Sequence, residues 1–199
     1  MRHALLIFAA ARVLLSIWVA LVLAVSSPPT SPDDILRPYQ GVDPISGGIA
    51  ELSLGIWQRF DTLWYLRIAT QGYAPSDGST VYFPLYPLLI RLLGKVFFDN
   101  YLIAALVISS LAYLGVLFCL YKLTEAQFGK ASARRSTAYL AIFPTAFFFL
   151  AAYTESLFLF LTLAAFLCAC RRRWWLAGIL GLLSSLTRLQ GVVLIAPLL

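Results

Sequence analysis

Asp61 stands near the middle of Trp57–Tyr73, WQRFDTLWYLRIATQGY, which sets charges and aromatic rings between two strongly apolar regions. Read as a helix at about 100° per residue, Trp57, Asp61, Trp64, Tyr65 and Ile68 share one face. Arg59, Leu63, Leu66, Arg67 and Thr70 share the other. A carboxylate walled by two indoles and a phenol resembles the surroundings of an acid that handles sugars more than a routine surface charge. The competing reading is a helix lying flat at a membrane surface, where Trp, Tyr and Arg are enriched in any case. Two more ionisable residues stand in apolar runs: Glu155 in Tyr153-Thr154-Glu155-Ser156, and Arg188 on a stripe of Gly181, Ser184, Ser185, Arg188 and Gly191 at helical spacing. Such a small, polar face turns into a helix bundle. Ionisable groups at membrane depth are costly and mark functional sites. Arg188 needs an anionic partner there. Glu155 would serve as a purely structural ion pair, and a phosphate would suit the guanidinium fork.

The elements that position these residues are membrane helices. Of 199 residues, 61% are hydrophobic and 12% charged, against about 25% charged in a soluble domain. The sequence therefore predicts an all-α, polytopic membrane helix bundle, each span needing about 20 apolar residues. The net charge of +6 falls in short loops between apolar runs, as the positive-inside rule produces. That pattern argues against nucleic-acid binding. Met1–Val25 is expected as a retained first span, with Arg12 reaching the cytoplasmic interface or facing the bundle interior; a signal cleaved near Ala24-Val25-Ser26 is the alternative.

Ser26–Gly48, rich in Pro, Ser, Gly and Asp, is an irregular polar loop, and Glu51–Gly72 a helix. Tyr82–Phe98 contains Pro84, Pro87, Arg91 and Lys95 and suits an interfacial or re-entrant half-helix. Residues 26–100 thus form a first extracytoplasmic loop with interfacial helices. Tyr101–Tyr121 is a clean span, Lys122–Arg135 a basic cytoplasmic loop, and Ser136–Cys170 a pair of short spans with its hairpin near Tyr153–Ser156. After the cytoplasmic Arg171-Arg172-Arg173, Trp174–Leu199 makes the last span. Residues 1–199 are then a single membrane domain of about five spans. This topology puts Asp61, Glu155 and Arg188 on one side of the membrane.

Several motifs carry a resemblance in the same order. They are Arg59-Phe60-Asp61 with Tyr65-Leu66-x-Ile68-Ala69-x-x-Gly72-Tyr73, then Phe83-Pro84-Leu85-Tyr86-Pro87, Pro144, Tyr153-Thr154-Glu155-Ser156-Leu157-Phe158 and Leu186-Thr187-Arg188-x-x-Gly191. Together they resemble the PIG-V type of GPI mannosyltransferase and its bacterial relatives, within the wider GT-C class of membrane glycosyltransferases. The resemblance runs from about Arg59 to Gly191, with Phe60 where the family more often has Trp. It implies an enzyme that transfers a hexose, mannose above all, from a polyprenyl-phosphate donor to a hydroxyl of a glycolipid or glycan acceptor, outside the cytoplasm or in a lumen. Asp61 matches the family's acidic residue and would be the catalytic base, with Glu155 as the second catalytic carboxylate. Substrate-binding roles fall to Arg59, Trp57, Trp64, Tyr65, Tyr153, Arg188 and Gln190, the arginines steadying the phosphate and the rings stacking on sugars. The host membrane would be a bacterial plasma membrane or the endoplasmic reticulum. Family members are longer, so 1–199 is expected to be the N-terminal part of a larger GT-C fold.

No cofactor or metal is expected. There is no glycine-rich nucleotide loop and no dense carboxylate cluster, and Cys119, Cys168 and Cys170 read as small apolar core residues. Two other functions share the intramembrane Glu and Arg: a transporter or flippase for lipid-linked sugars, whose sign would be paired broken helices in repeated halves, and a non-catalytic scaffold subunit in which Asp61 is dispensable. No internal repeat is visible.

Overall fold

The structure, a computed structural model, describes residues 2–25, 42, 45, 48–75 and 77–198; most of the polar loop expected at Ser26–Gly48 lies outside them. Eight helices occur among these residues: α1 (Arg2–Val25), α2 (Gly48–Ser53), α3 (Asp61–Gln71), α4 (Leu85–Val96), α5 (Tyr101–Ile142), α6 (Glu155–Cys170), α7 (Trp174–Ser185) and α8 (Ile195–Leu198). Short 3-10 segments lie at Gly55–Trp57, Ser79–Val81, Ala146–Phe149 and Leu189–Leu194. There is no strand among the described residues. The all-helical expectation holds. Of the expected spans, α1 over Arg2–Val22 and α5 are long and apolar enough to cross a membrane. The apolar α6 and α7, with 16 and 12 residues, reach only about 24 Å and 18 Å at ~1.5 Å per residue.

α5 is the axis of the bundle. Its buried Leu102, Ala105, Tyr113, Val116 and Leu117 meet α1, α4 and α6. α4 runs antiparallel to its first turns, because the buried Tyr86 hydroxyl lies 3.1 Å from the Ala105 carbonyl and 2.7 Å from Ser109 Oγ while Gly94 abuts Tyr101. The expected half-helix at Tyr82–Phe98 is therefore present as twelve residues, started by Pro84 and packed upright on α5. The expected loop at Lys122–Arg135 is reduced to a break at Gly129. Glu125, Ala126, Gln127, Lys130, Ala131, Ala133, Arg134 and Arg135 are good helix formers, and helix continues on both sides of that break. Gly129 leaves the helical path with φ 79° and ψ 173°, open to a residue without a Cβ, and α5 is two helical limbs, 101–128 and 130–142, that meet there, His3 touching both Tyr121 and Thr137.

The stretch Ser136–Cys170 departs from two helical spans in its first limb. α5 stops at Ile142, and Phe143–Thr154 is irregular around the 3-10 turn Ala146–Phe149. Pro144 has no N–H to continue a helix, and four aromatic or branched side chains crowd the turns that follow. Tyr113 stacks on Phe149 at 5.4 Å with the rings 5° from parallel, and the Ser156 hydroxyl donates to the Phe149 carbonyl. These contacts hold the segment against the bundle. α6 and α7 then form a hairpin through Arg171–Arg173, with Thr162 and Ser184 hydroxyls 3.1 Å apart between them. At the same end His3 Nε2 lies 3.1 Å from Thr137 Oγ1, and its ring is 5.8 Å from that of Tyr121.

Candidate functional site

Asp61 opens α3. The expected helix over Glu51–Gly72 is broken, because Leu54–Phe60 leaves the helical path and Phe60 takes φ 50°, ψ −126°. Gln58 is buried in this break, its side-chain oxygen accepting from the Ile45 N–H at 2.9 Å. The break moves Trp57 off the face it was expected to share with Asp61. Trp57 instead lies under the Arg12 guanidinium, 5.2 Å from the ring centre. Thr62, next to Asp61, is fully buried and donates to the Ala152 carbonyl at 3.3 Å. That bond ties the start of α3 to the irregular segment before α6.

The aromatic partner of Asp61 is Tyr82, which the sequence reading did not single out. Its hydroxyl donates to Asp61 Oδ1 at 3.3 Å. Trp64 stacks on the Tyr82 ring at 5.5 Å, and Tyr65 meets the same ring edge-on at 5.2 Å. The chain reverses between Gly72 and Tyr82 to bring this ring back. Ser79, buried, donates to the Ala74 carbonyl and accepts from its N–H, while Arg67 reaches Asp77 at 2.8 Å. The Tyr73 hydroxyl donates to the Tyr82 carbonyl at 2.9 Å. Burial, and then the charge of Asp61, push the Tyr82 phenol up, so it stays protonated and remains a donor to the carboxylate.

Glu155 is the first residue of α6, where a carboxylate complements the positive end of the helix dipole. Its Oε1 accepts from the Arg188 guanidinium at 2.7 Å, each side chain being about one-third exposed. Arg188 also lies 3.4 Å from Thr154 Oγ1, which is 3.4 Å from the Tyr65 hydroxyl. A polar path thus runs from α3 to the end of α7 through Tyr65, Thr154, Arg188 and Glu155. Glu155 Oε2 is buried with no hydrogen-bond partner among the described residues, an acceptor left unsatisfied.

Arg188 was expected inside a last helical span. α7 ends at Ser185, and Arg188 is extended, with φ −153° and ψ 148°. The break is built in. The Leu85 N–H donates to the Leu186 carbonyl at 3.0 Å, the buried Thr187 hydroxyl donates to Leu183, and Gly191 lies so close that a Cβ there would sit 2.4 Å from the Ser184 carbonyl carbon. Gly181 and Ser184 remain on α7, and Gln190 is exposed just past Arg188.

Beside this cluster runs a groove of about 980 Å³ between α1, the far part of α5 and the irregular segment. Arg59, Trp57, Phe60, Tyr113 and Tyr153 line it together with apolar side chains such as Leu14, Trp18 and Phe147. Tyr153 lines the groove and stands directly before Thr154 and Glu155 in the chain, so it links groove and cluster. Tyr65, Glu155 and Arg188 are therefore joined through Thr154, Asp61 and Trp64 adjoin them through Tyr82, and Arg59, Trp57 and Tyr153 line the groove. No curated protein and no solved structure matches the chain. The family model for mannosyltransferases of the PIG-V type matches residues 2–197, and with the Asp61 and Glu155–Arg188 segments in place across nearly the whole chain, the protein belongs to that family.

Proposed function

We propose that the protein transfers mannose from a polyprenyl-phosphate donor to a hydroxyl of a glycolipid or glycan acceptor, on the extracytoplasmic or lumenal face of its membrane. The observation that supports this most is the chain of contacts from Asp61 through Tyr82, Tyr65 and Thr154 to the Glu155–Arg188 pair at one end of the bundle. The donor is already activated, because its phosphate leaves once the charge is stabilised. The acceptor oxygen attacks the anomeric carbon, the bond from that carbon to the phosphate oxygen breaks, and its electron pair goes to the phosphate. Asp61 accepts the hydroxyl proton, with the Tyr82 hydroxyl fixing one carboxylate oxygen. Glu155 Oε2 receives an acceptor hydroxyl, and a guanidinium balances the departing phosphate.

Asp61→Asn keeps size and shape and removes the base. Turnover should fall about 10²- to 10⁴-fold with donor binding much less affected. The measurement is transfer of labelled mannose from polyprenyl-phosphate mannose in membranes, alongside donor binding. Near-normal turnover would move the base elsewhere, with Glu155 next in line. Parallel loss of binding and turnover would make Asp61 a substrate-holding residue.

A further inference from the structure

We infer that the Tyr65 hydroxyl and Glu155 together read a second hydroxyl of the acceptor, apart from the one that reacts, so that the enzyme selects a polyol over a simple alcohol. This rests on the transfer proposed above and names what its acceptor must present. The hydroxyl hydrogens of this corner do not balance. Arg188 Nη1 reaches Glu155 Oε1 at 2.7 Å and Thr154 Oγ1 at 3.4 Å, and the Thr154 and Tyr65 hydroxyl oxygens lie 3.4 Å apart. A guanidinium only donates, so Thr154 accepts from it. Two hydrogens remain on the two hydroxyls, and the contact between them uses one. A hydroxyl that accepts from a cation is the stronger donor, which sends the Thr154 hydrogen to Tyr65. The Tyr65 hydrogen then has no acceptor among the described residues, although Tyr65 is 6% exposed and Thr154 3%.

The same guanidinium nitrogen leads to the complementary group. Glu155 Oε2 is buried without a partner, so one donor and one acceptor stand unmet on residues that Arg188 joins. Each costs stability while unmet. An alcohol satisfies both at once, donating to the carboxylate and accepting from the phenol; an ether cannot donate, and an ammonium cannot accept. The Glu155 and Arg188 side chains are about one-third exposed, and the soft last torsion of a glutamate lets Oε2 turn toward that opening. The Tyr65 ring is met edge-on by Tyr82 and Tyr86, so its hydroxyl, not its face, is what it offers a sugar. Tyr82 in turn donates to Asp61. The corner therefore adjoins the group that takes the acceptor's proton, which assigns it to the acceptor and not to the donor sugar.

The test measures transfer from labelled polyprenyl-phosphate mannose to a total lipid extract of the host membrane, with the full-length protein in nanodiscs. Tyr65→Phe and Glu155→Gln should each raise the acceptor KM about tenfold, with donor KM and kcat within about twofold. The double variant should fall well short of the product of the two, because both groups serve one hydroxyl. Thr154→Val should also raise the acceptor KM, and Thr154→Ser should restore it, which a merely structural role for the methyl group would not give. Octyl α-D-mannopyranoside, rich in hydroxyls, should inhibit about tenfold better than pentaethylene glycol monooctyl ether, which has the same tail and mostly ether oxygens. That difference should vanish in both single variants. Equal inhibition by the two probes in the parent protein would overturn the subsite, as would a rise in donor KM alone. Transfer by the parent with acceptor KM unchanged in both variants sinks the subsite alone. A parent protein that transfers no mannose sinks the proposed function and the subsite with it.

Discussion

Tyr82 shows how much of the site depends on one side chain that no spacing pointed to. Its hydroxyl holds Asp61 at 3.3 Å while its ring is stacked by Trp64 and met edge-on by Tyr65. Tyr82→Phe keeps the rings and removes only the donor. The bond is long and Asp61 is exposed, so the loss should be about 1 kcal/mol, or about fivefold in turnover, with donor affinity unchanged; equal turnover in the variant would take Tyr82 out of the proposed mechanism. Asp61, Glu155 and Arg188 were legible from sequence because a charge in an apolar chain needs a reason. Tyr82 was not. It stands in an aromatic-rich run just before Phe83-Pro84, and its contact with Asp61 exists only because the Ser79 and Asp77 side chains clasp the reversal after Gly72.

At the scale of elements, sequence patterning gave the helices well where apolar periodicity was unbroken and failed where local chemistry overrode it. Phe60 ends a helical pattern in a positive-φ conformation without Gly or Pro to announce it. The basic residues after Tyr121 signal sidedness by charge, yet their propensity is helical, so the expected loop there shrinks to the break at Gly129. Arg12 was left between two placements, and it takes the interior one. Its guanidinium donates to the Leu150 carbonyl at 3.0 Å and lies over Trp57. It therefore joins α1 to the two irregular segments that lead into Asp61 and Glu155. Arg12→Met removes a charge-assisted bond and a cation–π contact but also the cost of placing a charge there. We expect a net loss of about 1–2 kcal/mol in thermal unfolding and a fall in kcat/KM for mannose transfer, with Arg12→Lys intermediate. A variant melting and turning over like the parent would show that α1 needs no such tie. Gly191→Ala should cost about 1–3 kcal/mol, since its Cβ would meet the Ser184 and Ser185 backbone, and should lower turnover through Arg188.

At the scale of the whole molecule the two ends of the bundle differ in charge. His3 beside Tyr121 and Thr137, and α6 running alongside α5 from Ser109–Tyr153 to Gly115–Phe160, gather the N-terminus, the middle of α5 and the α6–α7 turn at one end. Lys122, Lys130, Arg134, Arg135 and Arg171–Arg173 lie on these segments. Asp61, Tyr82, Glu155 and Arg188 occupy the other. From the positive-inside rule we propose that the site faces away from the cytoplasm, and this assignment can be tested without knowing the acceptor. Cys119, Cys168 and Cys170 are replaced by Ala, and single cysteines are placed at Thr80, exposed near the site, and at Lys130, exposed just past the α5 bend. A membrane-impermeant maleimide applied to intact cells, for the plasma-membrane case, should label position 80 and reach position 130 only after the membrane is opened; sealed vesicles of known orientation give the same comparison for an internal membrane. Labelling of both from one face would leave the chain on one side of the membrane along α5 and remove the sidedness from the proposed function. The reverse pattern would put the transfer site in the cytoplasm, where a donor presented from the outer leaflet could not reach Asp61.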